Sequence, residues 1–275
     1  MPEGDTLART ADGLRPYLVG REVVGARARG GAQVGRLVGS RIESVEAVGK
    51  NLLMRFSNGL EVRTHLRMKG SWHRYRPGEA WRRPPARAVL VVEVPGAVAV
   101  CFDAPVVELF EARSERLHPT LAALGPDVLD PDFDAAEALR RLRHPSRTSM
   151  SIGEALIDQR ALAGISNIYR CEALFAERVS PFLPVSSLDD ATLDRLVATA
   201  GQMLAANARR NDPRPMTTGR QGLGDTRFWV YRRSGRPCRR CGTLIRSGPL
   251  GRDLPRTIYW CPSCQGGDGP ATTEA

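Results

Sequence analysis

The chemistry open to this sequence starts with its amines. Of 40 cationic side chains only Lys50 and Lys69 are lysines, and the rest are arginines. A guanidinium stays protonated and cannot act as a nucleophilic amine, whereas an ammonium can shed its proton. Amine chemistry is therefore confined to Lys50, Lys69 and the N-terminus. The chain opens Met-Pro-Glu-Gly-Asp-Thr. Removal of Met1, which the small second residue permits, would expose Pro2, a secondary amine on a rigid ring, with the carboxylate of Glu3 as its neighbour.

Thiolate ligation is the second available chemistry. Four of six cysteines form two Cys-x-x-Cys pairs, Cys238 with Cys241 and Cys261 with Cys264, separated by nineteen residues. That spacing suits two knuckles holding a tetrahedral metal at the ends of a β-hairpin. Four thiolates suit Zn²⁺, which is borderline-soft and indifferent to ligand-field geometry. A redox role would need only one pair. Such a zinc site is closed, so its expected role is to make a small unit foldable rather than to catalyse. Cys101 and Cys171 read as buried free thiols. His65, His73, His118 and His144 are scattered and suggest no ligand set.

Charge indicates the partner. The net charge is +10, and the stretch from Ala206 to Arg256 alone holds thirteen arginines against three aspartates. This clustering favours a polyanion, nucleic acid first. No run approaches the roughly 18 apolar residues of a membrane-spanning helix, and the first thirty residues lack a signal-peptide core. The expectation is a cytoplasmic protein.

Several elements can be read from periodicity. Leu7, Ala11, Leu14 and Leu18 predict an amphipathic helix that stops near Gly20. "NLLMRF" and "LEVRTHL" alternate around Asn58-Gly59, a strong hairpin signal, with Lys50 at the open mouth. "AVLVVEV" and "AVAVCFD", joined by Pro95-Gly96, predict two more strands. Val23 to Cys101 thus reads as a β-sandwich or barrel. Further on, "SIGEALIDQ" and "NIYRCEALF" predict two helices joined by a glycine-containing turn, with Asn167 where helix N–H groups face outward to grip a phosphate. Another helix carries Leu188, Ala191, Leu196, Ala200, Met203 and Leu204, with Ser187 as its N-cap. "NDPRPMTTGRQGLGDTR" reads as a basic loop, and "GGDGPATTEA" as a disordered tail.

"PEG", "GKNLLMRF", "HLRMKGSW", "GISNIYRCEALF" and "CRRCGTLI…RTIYWCPSCQ" occur in the order seen in the bacterial formamidopyrimidine-DNA glycosylase and endonuclease VIII family of base-excision repair enzymes, which the chain resembles from end to end. The resemblance implies a multidomain α+β protein. Its N-terminal catalytic β-sandwich with a leading helix would cover residues 1–125, a helix-two-turns-helix DNA-binding domain 126–228 and a zinc finger 229–267, with the tail at 268–275. It makes Pro2 the nucleophile, Glu3 the general acid/base and Lys50 the catalytic lysine. Asn167 and Arg256 become phosphate ligands, and Met68 fills the gap left by an extruded nucleotide. The implied activity is a bifunctional glycosylase and abasic-site lyase, a nucleoid-associated monomer acting on double-stranded DNA that contains oxidised bases or abasic sites.

The carboxylate that many family members carry three residues after the glutamate is replaced by Thr6, with Asp5 beside it. "PEGDT", "TTG" after the second domain and "YWCPSCQ" lean toward endonuclease VIII and oxidised pyrimidines. "VVELFEARSERLHP" stands where the 8-oxoguanine enzymes carry an arginine-phenylalanine loop. Two other classes explain part of the sequence. A non-catalytic binder of damaged or distorted DNA would share the finger and helices without needing an unblocked Pro2, and a zinc-ribbon regulator or RNA-binding protein would explain the basic C-terminal half but not "MPEG" or "GKNLL".

Overall fold

The structure is a computed structural model that describes residues 3–210, 212, 214–220, 226–251, 255–267 and 269. Pro2 lies outside the described residues, as does the expected tail apart from Gly269. The chain divides into two compact units, Met1–Ala123 and Leu124–Ala275.

The first unit opens with α1 (Gly4–Leu18), whose Leu7, Ala11, Leu14 and Leu18 are buried at the predicted spacing. Its strands are β1 (Gly25–Ala28), β2 (Ile42–Val48), β3 (Asn51–Phe56), β4 (Leu60–His65), β5 (Ser71–Tyr75), β6 (Ala88–Val94), β7 (Ala97–Phe102) and β8 (Val106–Glu111). They form two four-stranded antiparallel sheets, ordered β1-β6-β7-β5 and β2-β3-β4-β8. A 3₁₀ helix, Ala112–Leu117, and α2 (Pro119–Ala122) end the unit.

Alternation decides the faces. Leu52, Met54, Phe56 and Val62 share one core with Leu90, Val92, Ala99, Cys101 and the buried leucines of α1. Burial of each such side chain contributes about 1.5–3 kcal/mol, which is why the period-2 and period-3.6 patterns were legible. Strand β8 lies beyond the expected end of the sandwich at Cys101. Its residues are mostly half-buried and alternate weakly.

The opposite face of β3 and β4 buries polar side chains. Arg63 donates to Asn51 Oδ1 at 2.9 Å and pairs with Glu108. Glu61 is fully buried, with Arg55 3.2 Å away, and its Oε1 has no hydrogen-bond partner among the described residues. Burial and the nearby Glu115 carboxylate push the Glu61 carboxyl up to about 7, against the pull of Arg55.

The second unit contains α3 (Ala135–Leu142), α4 (Ile152–Ala155), α5 (Asn167–Ala176), α6 (Asp190–Ala208), β9 (Arg246–Leu250), β10 (Arg256–Trp260) and α7 (Pro262–Gln265). Two local expectations are corrected. The N-cap of α6 is Asp189, whose carboxylate accepts from Thr192 N at 2.7 Å, and Ser187 instead belongs to a preceding 3₁₀ turn. The helix expected over "SIGEALIDQ" covers only Ile152–Ala155. Gln159 leaves the helical path because its side chain bridges the turn, donating to Ile165 O at 2.9 Å and accepting from Gly164 N at 3.2 Å.

Glu61 sets a pH prediction. Its folded pKa lies above the ordinary 4.5, so between 4.5 and about 7 the folded protein keeps a proton that the unfolded chain has lost. Stability from this residue is therefore greatest below 4.5 and falls as pH rises through about 7. Glu61→Gln is expected to flatten that slope and to stabilise the protein at pH 8 by about 1 kcal/mol or more. Thermal unfolding at pH 5 and pH 8 reads both effects, and equal midpoints for parent and variant at pH 8 would refute the assignment.

Candidate functional site

In the first unit, Glu3 sits at the N-cap of α1 in extended conformation, and its backbone carbonyl accepts from Thr6 and Leu7 N–H at 3.0 and 3.1 Å. Its side chain is buried, 2% exposed, which is unusual for a carboxylate next to a chain terminus. Asp5, also buried, gives one oxygen to Arg9 at 2.9 Å, and its Oδ1 has no hydrogen-bond partner among the described residues. Thr6 is half-buried. The start of the chain thus holds two buried carboxylates, Glu3 and Asp5, beside the residue that would carry the amine.

Lys50 and Gly49 form the two-residue turn between β2 and β3, where Gly49 takes the φ of 59° that favours glycine. Asn51 secures the turn by donating to Val48 O at 3.1 Å. The register pairs Asn51 with His65, so the end of β4 lies beside Lys50. Burial together with the charges of Arg63, Lys50 and Arg67 pulls the His65 imidazole down to about 4. His65 Nδ1 accepts from Arg67 N at 3.2 Å, so the neutral ring keeps its proton on Nε2. The sequence grouped His65 with scattered histidines. Only strand register reveals it as a hydrogen-bond donor next to Lys50.

The loop after His65 displays Met68, 64% exposed. Arg67 adopts φ 45°, and Gly70 N closes back on Leu66 O at 2.9 Å. A Cβ at Gly70 would lie 2.6 Å from that carbonyl oxygen and 2.8 Å from Leu66 Cα. The turn is thus tight for a steric reason, and it holds an apolar side chain in water just beyond the end of β4 that adjoins Lys50.

In the second unit, Asn167 opens α5 and donates through Nδ2 to Thr257 O of β10 at 2.9 Å. Arg256, exposed, begins β10. Two charged residues missed by the sequence reading lie inside the buried run 168–175 of α5. Arg170 binds Asn167 Oδ1 and Gly153 O. Glu172, fully buried, accepts from the backbone N–H groups of Trp229, Val230 and Tyr231 at 2.8, 2.9 and 2.8 Å and from the Thr217 hydroxyl. Burial raises its carboxyl while these donors oppose the rise. The available signal was an Arg and a Glu interrupting an otherwise apolar helical stretch.

The four patterned cysteines converge. Their sulfurs all lie within 4.8 Å of one another, with Cys238 and Cys264 at 3.9 Å and Cys241 and Cys261 at 3.5 Å. A Zn–S bond of about 2.3 Å places the sulfurs of a tetrahedron about 3.8 Å apart, so the set fits a four-thiolate metal. Gln265 stabilises the second knuckle, accepting from Cys261 N at 2.9 Å and donating to Val179 O at 3.0 Å. Cys101 and Cys171 are buried and free.

Comparison with known proteins follows this geometry. Residues 1–104 match the formamidopyrimidine-DNA glycosylase N-terminal domain, and residues 124–213 match the formamidopyrimidine-DNA glycosylase H2TH domain. The chain is 40% identical to a probable endonuclease 8 2 of Streptomyces coelicolor, over 98% of this chain and 96% of that one. It is 36% identical to the DNA-(apurinic or apyrimidinic site) lyase Nei2 of Mycolicibacterium smegmatis, over 96% and 99%. It is 32% identical to an endonuclease 8 of Escherichia coli, over 96% and 100%. In fold it resembles the Lactococcus lactis Fpg solved in complex with DNA containing N7-benzyl-Fapy-dG, with a TM-score of 0.78 at 21% identity, covering 96% of this chain and 99% of that one.

Gly70 supplies the prediction from this geometry. Gly70→Ala is expected to cost about 1–3 kcal/mol because the new methyl meets backbone rather than a yielding side chain. Urea unfolding measures it, and an unchanged midpoint would show that the 66–70 turn has room to relax.

Proposed function

The chain belongs to the formamidopyrimidine-DNA glycosylase and endonuclease VIII family, and from that premise we infer that it is a bifunctional DNA glycosylase and abasic-site lyase of base-excision repair. Its substrate is double-stranded DNA carrying an oxidised base, a pyrimidine in preference to 8-oxoguanine, or an abasic site. The observation that carries the reading is the grouping of Lys50, His65 and the exposed Met68 at one end of the β2-β3-β4-β8 sheet, in a unit whose N-terminus holds Glu3 buried.

A base inside a duplex is out of reach of a nucleophile, so the damaged nucleotide must be extruded, at a cost of a few kcal/mol. Met68 offsets part of that cost by filling the vacated stack with an apolar wedge. After loss of Met1, the Pro2 nitrogen attacks C1′ of the extruded nucleotide. The C1′–base bond breaks and the base leaves with a proton. An α-amino group titrates near about 8, so a useful neutral fraction exists at physiological pH. Glu3 protonates the sugar-ring oxygen as the ring opens.

The product is an iminium, which carries its positive charge without protonation because proline's amine is secondary. That cation acidifies the C2′ hydrogens. Loss of one expels the 3′-phosphate by β-elimination, and hydrolysis of the remaining iminium frees the enzyme. Lys50, with His65 beside it, sets positive charge and an N–H donor against phosphate. Asn167 and Arg256 bind phosphates from the second unit.

The preference for pyrimidines is supported by the segment that replaces the arginine-phenylalanine loop. Val106–Glu111 is strand β8 and Ala112–Leu117 a 3₁₀ helix, with Arg113 paired to Glu111. The relatives named endonuclease 8 point the same way. Zn²⁺ bound by Cys238, Cys241, Cys261 and Cys264 supplies folding energy to the finger and no step of the reaction. Working on chromosomal DNA places the protein at the nucleoid. The structure contains no helix long and apolar enough to cross a membrane among its described residues.

Incision of duplexes carrying thymine glycol, dihydrouracil or 8-oxoguanine tests the assignment. Pro2→Gly, which trades the secondary amine for a primary one whose imine must be protonated to stay cationic, is expected to lower incision, and Glu3→Gln to lower it by at least about a hundredfold, the scale of a lost proton donor, with DNA affinity nearly unchanged. Parallel losses of binding and incision would count against these roles. For the finger, elemental analysis is expected to find one zinc per chain. Cys238→Ser should lose the metal and weaken DNA binding, and a metal-free Cys238→Ser protein with full affinity would contradict the structural role.

A further inference from the structure

Arg170 stands out because its charge is buried and pairs with no carboxylate among the described residues. It has no solvent exposure. Its hydrogen bonds end on neutral groups: Gly153 O at 3.1 Å, Asn167 Oδ1, Arg256 O at 3.5 Å and the Cys171 thiol. Nε has no hydrogen-bond partner among the described residues, and the carboxylate named as acting on Arg170, Glu154, ranks behind both Cys171 and Arg256. The neighbouring Cys171 thiol is pushed up to about 11 by burial and stays neutral. Glu154 acts on Arg170 only weakly, and the Arg256 charge opposes it. Burying a cation costs several kcal/mol unless a counter-charge compensates, so a site left in this state is primed for an anion.

The surroundings say where that anion sits. Asn167 is the first residue of α5, a ten-residue helix whose N-terminal end carries partial positive charge. Because Arg170 donates to Oδ1, the Asn167 amide is oriented with its NH₂ toward β10. One hydrogen goes to Thr257 O, and an amide nitrogen has a second to give. We propose that Arg170 is a positioning residue for a DNA phosphate at the start of α5: it fixes the Asn167 amide as a donor, ties α5 to β10 through Arg256 O, and holds an uncompensated charge that the phosphate neutralises. This rests on the reading that Asn167 and Arg256 bind phosphate.

The test uses the full zinc-loaded chain and a duplex carrying a tetrahydrofuran abasic-site analogue. Arg170→Met is expected to weaken binding by about tenfold or more, as for loss of a charge-assisted contact, while Arg170→Lys, which keeps the charge, recovers most of the affinity. The salt dependence of binding supplies a readout that a merely structural role for Arg170 does not move: if its charge faces a phosphate, Arg170→Met lowers the slope of log affinity against log salt by about one. An unchanged slope in Arg170→Met overturns the uncompensated charge. Parental affinity in Arg170→Met, alongside weakened binding in Arg256→Gln, overturns the role of Arg170 and leaves the phosphate site standing. Parental affinity in Arg256→Gln removes the phosphate site, and this inference with it.

Discussion

A carboxylate withdrawn from water survives only where donors replace its hydration, and the second unit is organised around one that meets this condition. Glu172 lies at the centre of α5, and four donors from residues 217–231 converge on it. The helix that begins with Asn167 is thereby tied to the segment leading into the cysteine cluster. Arg240 reinforces the tie, donating to Phe175 O at 3.1 Å and stacking 4.3 Å over the Phe175 ring. Gln265 adds a bond to Val179 O from the far end of the finger. The place of β10, and so of Arg256 relative to Asn167, depends on these bonds more than on propensity for a five-residue strand.

Arginines before the finger and those within it are handled differently. Before it, many guanidinium groups meet carboxylates, as in Arg9–Asp5, Arg63–Glu108 and the pair Arg83 and Arg87 on Asp103 in the first unit, and Arg143–Asp190 and Arg147–Asp158 in the second. Carboxylates are scarce from Ala206 to Arg256. There, charges rest on backbone oxygens and aromatic faces: Arg233 on Trp229 O and Pro237 O, Arg239 on Phe228 O, Arg232 over the Tyr231 ring. Such contacts position a cation without cancelling it, so the field of the finger survives folding and remains available to a polyanion.

What the sequence revealed follows from what periodicity and spacing encode. Leu7 to Leu18, the Asn58-Gly59 hairpin and the cysteine pairs are local patterns, and the folded chain keeps them. The proximity of His65 to Lys50 is set by strand register across a hairpin, and the convergence on Glu172 by bonds spanning up to 59 positions, neither of which has a local signature. The N-cap of α6 was misplaced because Ser187 and Asp189 are both good caps, and the choice is made by Asp189 bonding to Thr192 N. The helix over "SIGEALIDQ" ends early because Gln159 is drawn into the following turn, a tertiary bond that overrides favourable helical residues.

The central claim is that the amine of Pro2 carries both bond-breaking steps. Borohydride reduction during reaction with an abasic-site duplex, followed by peptide mapping of any covalent adduct, tests it most directly. The account predicts a reduced adduct on Pro2 in protein that has lost Met1. An adduct mapping to Lys50 or Lys69, or none from protein with a free Pro2 that still incises the duplex, would contradict it.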